Sequence, residues 1–343
     1  MRLSECMLVL ALCGWCVYIL SYFITSTSMD ITRALEKKSK SKALAAQLHD
    51  PPKLGSHVQA TLGFVVMGDY GTGTKLQAQV ATSLGDFVDA TQPRASFVLS
   101  TGDQIYDHGL LSADDPAVIS KFEKVLRSFP WYRGTSGERY YHMDHRIDNS
   151  TIVRFVVLDA CDLVCGQESP EFKDFRCTPN MDAQTSIASR RRQYEWMENV
   201  LRMDPPKAVG GDADQLSKMW TVVVGHWAVY SFAGNGDTPE LISNLVPLLE
   251  KYNVHAYFNG HDHAMQHVRK GTIQYFTSGA GGYALHDLKP RARAHPELVH
   301  VDTTNGFMWV QVSHDTFRVQ FVDGTTTEIL YTTDVPYRVH HDT

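Results

Sequence analysis

The 343-residue chain carries no internal repeat and no glycine-rich loop of the GxxxxGK[ST] kind, which excludes repeat architectures and P-loop nucleotide chemistry. Its basic residues form no patch and no arginine stripe. With 32 Lys and Arg against 38 Asp and Glu the net charge is −6, so the composition gives no nucleic-acid partner. Cysteine is scarce. Of six, Cys161, Cys165 and Cys177 lie in the body, without a CxxC pair or a histidine at finger spacing, which excludes a zinc finger. One local disulfide among these three fits an oxidising compartment and leaves one thiol over.

Charge is missing altogether from residues 6–24, CMLVLALCGWCVYILSYFI. The run is longer than a signal-peptide core and near the length of a spanning helix, and no small-x-small cleavage site follows it closely. It predicts an N-terminal membrane anchor or signal segment over 1–29; a buried core helix is the alternative. Orientation stays open. Arg33, Lys37, Lys38, Lys40 and Lys42 behind the run point the body to the cytosol, whereas Asn149-Ser150-Thr151, the one glycosylation acceptor, points it to a lumenal, lysosomal or extracellular face. Residues 30–58, rich in Lys, Ala and Ser and ending near Pro51-Pro52, read as a polar stalk. One domain is then expected over 59–343, as a monomer.

Within that domain, periodicity predicts strands over Thr61–Met67, Ser96–Thr101, Ile152–Asp159, Trp220–Val224, Val254–Phe258 and Ile273–Thr277, with three more between Gly306 and Tyr331. Helices are predicted over Lys75–Ala90, Pro116–Ser128, Ala188–Met203 and from a Thr238 cap through Leu249. A Cys-bearing loop runs to about Asn180, and SGAGG after Thr277 reads as flexible. The order implies an α/β protein with a parallel pair at its start.

Four apolar strands stop at glycine followed by a metal-type ligand: Gly68-Asp69, Gly102-Asp103, Gly225-His226 and Gly260-His261, with His263 two residues on and Tyr106 one turn after Asp103. Each has an ordinary reading: Asp69 and Asp103 as helix caps, the histidines as core or turn residues. Together they place two carboxylates, a phenol and three imidazoles at strand ends, where ligands gather in open α/β sheets. That donor set suits a pair of first-row transition metals better than calcium or magnesium. His108 is close enough to Tyr106 to touch a substrate, although a solvated loop position is its plainer reading.

GDYG, GDQIY, VVGH and NGHDH resemble the calcineurin-like metallophosphoesterases. Tyr106, PWY, RRQYEWMENVL and SGAGG narrow the resemblance to the small, tartrate-resistant branch of the purple acid phosphatases, from about residue 60 onward. The resemblance implies a four-layer fold, two mixed sheets packed face to face and flanked by helices. It implies a ferric site of Asp69, Asp103, Tyr106 and His263, coloured by phenolate-to-iron charge transfer. A second, divalent site (Fe, Zn or Mn) takes Asp103 as bridge, with His226 and His261. The implied reaction is phosphomonoester hydrolysis by in-line attack of a metal-activated hydroxide.

The chain departs from that pattern. PWY is followed directly by RGTSGERYYHMDHRID, and no Asn-His dipeptide occurs anywhere. The Gly-Asn-His-Asp/Glu motif, which supplies a ligand to the second metal and a histidine facing the phosphate, is missing, and a strand is expected to be missing with it. Asn235 stands where the animal enzymes have a histidine, and Cys165 aligns with a half-cystine whose partner position near Leu241 to Asn244 has no cysteine. His142, Asp144, His145 and Asn149 are the nearest substitutes, on a stretch that alternates as a strand. Two readings therefore remain beside the acid phosphatase: a catalytically dead or incomplete isoform, and a membrane-tethered metal- or phosphate-binding protein.

Overall fold

The computed structural model describes residues 60–107, 109–110, 112, 114–123, 139–165, 187–210 and 217–338. Strands β1 (Leu62–Met67) and β2 (Ala95–Ser100) pair in parallel across helix α1 (Lys75–Ala90), as the alternation predicts. Residues Val118–Glu123 form a π-helical turn. β3 (Tyr141–Asp148) and β4 (Thr151–Val157) make a hairpin. Helices α2 (Ala160–Val164) and α3 (Ile187–Arg202) precede β5 (Lys218–Val224). Helices α4 (Pro239–Asn244) and α5 (Val246–Lys251) lead to β6 (Ala256–Asn259), β7 (Met265–Lys270) and β8 (Ile273–Ser278). The last strands are β9 (Leu298–Asp302), β10 (Gly306–Val312), β11 (Phe317–Asp323) and β12 (Ile329–Asp334).

These strands form two mixed sheets, ordered β12-β11-β10-β1-β2 and β3-β4-β5-β6-β8-β7-β9. Their inner faces carry near-continuous apolar runs. Phe64, Leu99, Met308 and Phe321 from one sheet meet Phe155, Trp220, Phe258 and Phe276 from the other. Full burial contributes roughly 1.5–3 kcal/mol for each such aliphatic or phenyl side chain, so this seam holds the sheets together. Outside, Phe87 of α1 packs edge-on against Phe307 and Trp309 of β10 at 5.5 and 6.0 Å. Met197 and Leu201 of α3 and Leu241 and Leu249 of α4 and α5 cover the other sheet around Val223 and Tyr257. The result is the expected four-layer α/β sandwich.

Several expectations change. The helix after Thr238 is split in two, because Pro247 has no N–H to continue the ladder, and Thr238 makes no side-chain cap bond. The helix expected over Pro116–Ser128 is the shorter π-helical turn within the described residues. The Cys-bearing loop opens with α2, whose cap is Asp159, accepting from the Asp162 N–H at 3.1 Å. Strands β7 and β9 were hidden by the polar residues of MQHVRK and LVHVD. SGAGG is not flexible: Ser278–Gly282 is buried, and the Gly281 N–H donates to the Gly68 carbonyl at 3.1 Å. Among the described residues β2 pairs only with β1 and stands at the edge of its sheet. The apolar run 6–24, the stalk 30–58, His108 and Cys177 lie outside the described residues. Among those described, no helix is long and apolar enough to cross a membrane. Cys165 is disulfide-bonded and Cys161 is a free thiol.

A buried imidazole makes the sandwich sensitive to acid. His267 of β7 lies between the sheets, 2.8 Å from Gln274 Oε1 and 2.9 Å from the Tyr331 hydroxyl. Burial pushes it down to about 4. The unfolded chain, with an ordinary histidine near 6.5, takes up this proton first. Stability from the neutral ring is therefore complete above pH 6.5 and lost as pH falls toward 4, about 3 kcal/mol in all. His267→Gln should flatten that part of the pH–stability curve in urea unfolding, at the expense of some stability at neutral pH.

Candidate metal centre

The predicted ligands stand at the carboxyl ends of four strands, two from each sheet. Asp69 follows β1, Asp103 follows β2, His226 follows β5, and His261 and His263 follow β6. The loops cross-link to one another. The Asp69 N–H donates to the Gly102 carbonyl at 3.1 Å, and the Tyr106 N–H to the Gly71 carbonyl at 2.8 Å.

All six side chains converge. The Tyr106 hydroxyl donates to Asp69 Oδ1 at 2.9 Å and lies 3.2 Å from His263 Nε2, which is 3.4 Å from Asp69 Oδ1. On the other side, His226 Nε2 is 3.4 Å from Asp103 Oδ1 and 3.2 Å from His261 Nδ1. Ligand atoms of Asp69, Asp103 and His226 all fall within 4.8 Å of one another, which joins the two groups. Donors held about 2.1 Å from one ion stand roughly 3.0–3.4 Å apart at the edges of an octahedron or tetrahedron, so these spacings fit a metal.

The tautomers fit as well. His226 Nδ1 donates to the Thr101 carbonyl at 2.8 Å, and His263 Nδ1 to the Ala284 carbonyl at 2.8 Å. Each therefore turns an unprotonated Nε2 into the centre, the orientation that second partners impose on metal-binding histidines. Burial, followed by the Asp69 and Asp103 charges, pushes the Tyr106 phenol far above its ordinary range. Burial alone would lower the His263 imidazole, but the Asp69 carboxylate, the Ala284 carbonyl and the Asp103 charge together outweigh it and the net shift is upward. Two carboxylates facing a phenol raise its pKa; a cation among them reverses the sign.

Backbone strain marks the same residues. Asp69, Asp103 and His261 all have positive φ, at 57°, 45° and 68°, three of the five non-glycine residues in this sparsely populated region among those described; the others are Asn253 and Thr327. Glycine at 260 makes the approach possible, since a β-carbon there would lie 2.3 Å from Asp69 Oδ2. The sequence could not show this strain, nor two residues that line the centre. The Tyr283 ring lies 4.4 Å from that of Tyr106, and the His286 ring stacks on His263 at 4.1 Å. His286 Nδ1 is 3.0 Å from Oδ1 of the buried Asp262. Their only signal was a position just after SGAGG.

None of the substitutes near the missing motif joins the centre in this way. Asp144 is held by Arg154 at 2.8 Å, His145 packs its ring toward Phe97 at 6.0 Å, His142 faces Trp196, and Asn149 is exposed in the turn after β3. Asn235 donates from Nδ2 to the His261 carbonyl at 2.8 Å.

A sandwich of two mixed sheets with carboxylates, a phenol and imidazoles at its strand ends defines a metallophosphoesterase. The family model for calcineurin-like phosphoesterases matches residues 63–265. The chain is 32% identical to purple acid phosphatase 4 of Arabidopsis thaliana over 294 residues, covering 82% of this chain and 84% of that one. It is 26% identical to tartrate-resistant acid phosphatase type 5 of Rattus norvegicus, covering 81% and 91%. The fold is shared with GAP50, the anchor in the inner membrane complex of Plasmodium, at a TM-score of 0.65 and 19% identity over 82% of this chain and 90% of that one. The chain belongs to the purple acid phosphatases of the calcineurin-like phosphoesterase family.

The tight packing yields a paired expectation. Gly260→Ala must displace Asp69 and should lower stability by about 1–3 kcal/mol. Gly85→Ala, inside α1 with nothing within 4 Å of its β-carbon, should raise it by about 0.5–1 kcal/mol. Thermal unfolding of the two variants against wild type reads both signs.

Proposed function

We propose that this chain hydrolyses phosphomonoesters as an acid phosphatase at a dinuclear centre, ferric on the Tyr106 side and divalent (Fe, Zn or Mn) on the other. The convergence of Asp69, Asp103, Tyr106, His226, His261 and His263 on one point supports the reading. Asp69, Tyr106 and His263 would hold one metal and His226 and His261 the other, with Asp103 shared. When bound, the metals supply Lewis acidity that polarises the phosphoryl group and acidifies water.

The protein's own share is orientation. His226 and His263 are fixed by the Thr101 and Ala284 carbonyls, and Asp69 is fixed by the Tyr106 hydroxyl and by the His261 N–H at 3.0 Å. What the chain lacks is a histidine in either place where the family faces one to the phosphate. Three donors remain on the His226 side, enough for zinc with an open position. A poor leaving group must then depart without a protein acid, a contribution typically worth about 10²–10⁴-fold.

The disulfide at Cys165 fits the secretory pathway. We place the metallophosphoesterase domain at 59–343 on a lumenal or extracellular face, with Asn149 as glycosylation acceptor, behind a stalk at 30–58 and a membrane tether within 1–29.

Hydrolysis of an aryl against an alkyl phosphate by purified, metal-loaded protein tests the proposal. The aryl ester should turn over, and the alkyl ester should be slower by about 10²–10⁴-fold. Absence of aryl phosphate turnover overturns the hydrolytic reading.

A further inference from the structure

The imidazole proposed to bind metal beside Tyr106 is wrapped by the segment 283–286. His263 Nδ1 donates to the Ala284 carbonyl at 2.8 Å, and the His286 N–H donates to the His263 carbonyl at 3.0 Å. The His286 ring lies on the His263 ring, with centroids 4.1 Å apart and planes 21° from parallel. The Tyr283 ring meets the same imidazole at 4.7 Å and 55°. Gly234 leaves room for the His286 ring, since a β-carbon there would stand 3.1 Å from His286 Cγ.

His286 is itself held. Its Nδ1 lies 3.0 Å from Oδ1 of Asp262 and 3.2 Å from the His263 main-chain nitrogen. One ring nitrogen cannot donate to the first and accept from the second. Asp262 is fully buried and accepts the N–H groups of Asn235 and Gly236 at 2.7 and 3.3 Å, which marks it as an acceptor. Nδ1 therefore carries the proton and donates to Asp262. This bond sets the plane of the His286 ring, and the stack passes that plane to His263. The second step matters because the χ2 torsion of a histidine is broad, so one hydrogen bond at Nδ1 leaves the ring able to rock. A planar neighbour at 4.1 Å removes that freedom: turning His263 across it would drive a ring edge into His286.

We propose that His286 is a positioning residue for metal binding on the Tyr106 side. Its ring holds the His263 imidazole in the plane that keeps Nε2 3.2 Å from the Tyr106 hydroxyl and 3.4 Å from Asp69 Oδ1. Retention of iron by these three side chains, and the energy of the phenolate-to-iron absorption, then depend on a residue outside the ligand set. This rests on the reading of the strand-end cluster as a metal centre with iron on the Tyr106 side.

The test loads wild type, His286→Asn and His286→Phe with ferric iron and reads iron release to a chelator and the visible absorption, with no turnover required. Asparagine keeps a donor for Asp262 and removes the ring; phenylalanine keeps a ring and removes the donor. His286→Asn should release iron about ten- to a hundredfold faster, the scale of losing a partner that orients a metal-binding histidine, and its absorption maximum should shift. His286→Phe should stay close to wild type in both. Thermal unfolding of the iron-free proteins controls for fold, since a residue that only supported the loop would lower the midpoint and leave the absorption maximum in place. Unchanged release and absorption in a folded His286→Asn overturn the assignment, as does a folded His286→Phe that loses iron as fast as His286→Asn. A wild type that takes up no iron, or takes it up without colour, is a different failure: it removes the ferric centre at Tyr106 and the His286 proposal with it.

Discussion

A carboxylate with no exposed surface lies at the junction of the two sheets. Asp69 is fully buried. An ionised carboxylate is costly there unless donors or a cation compensate it. Its donors come from two other strand ends, the Tyr106 hydroxyl after β2 and the His261 N–H after β6. The positive φ of Asp69, Asp103 and His261, the glycine at 260 and the buried SGAGG segment all serve that close approach. The three loops are thus held by one negative charge.

The convergence of these side chains was legible because the fold imposes a simple grammar on them. A parallel strand that must stop and aim a side chain at a shared point ends in glycine plus a ligand, and four such ends were visible at Asp69, Asp103, His226 and His261. The first helix was legible over its full length, since Leu84 and Phe87 of α1 repeat at helical spacing against one sheet face. Strands β7 and β9 were not, because their buried or half-buried residues include His267, Gln266 and His300, whose burial is satisfied or shielded by partners distant in sequence. The same holds for His286. Nothing local marks His286, which matters because its ring stacks on His263 and its Nδ1 reaches Asp262. Pro247 shows the opposite error, a helix read through a residue that interrupts it.

The departure from the family pattern concentrates on one side of Asp103. Toward Tyr106, every residue the resemblance requires is in place and oriented. Toward His226, two imidazoles and the shared carboxylate remain, and β2 has no outer strand among the described residues. The neighbours that sequence proximity offered are committed to structure, Asp144 to the buried Arg154 and His145 to the Phe97 ring. A centre strong on one side and open on the other explains why loss of the Asn-His motif need not abolish metal binding even as it removes an acid.

The claim that the strand ends form a metal centre is tested most directly by counting metal. Elemental analysis after gel filtration should find at least one transition-metal ion per chain in wild type. Asp103→Asn, which alters the one carboxylate shared by both sides, should retain less than about a tenth of that at unchanged fold by circular dichroism. Equal metal content in the two proteins, or none in a wild type loaded with iron and zinc, would contradict the account.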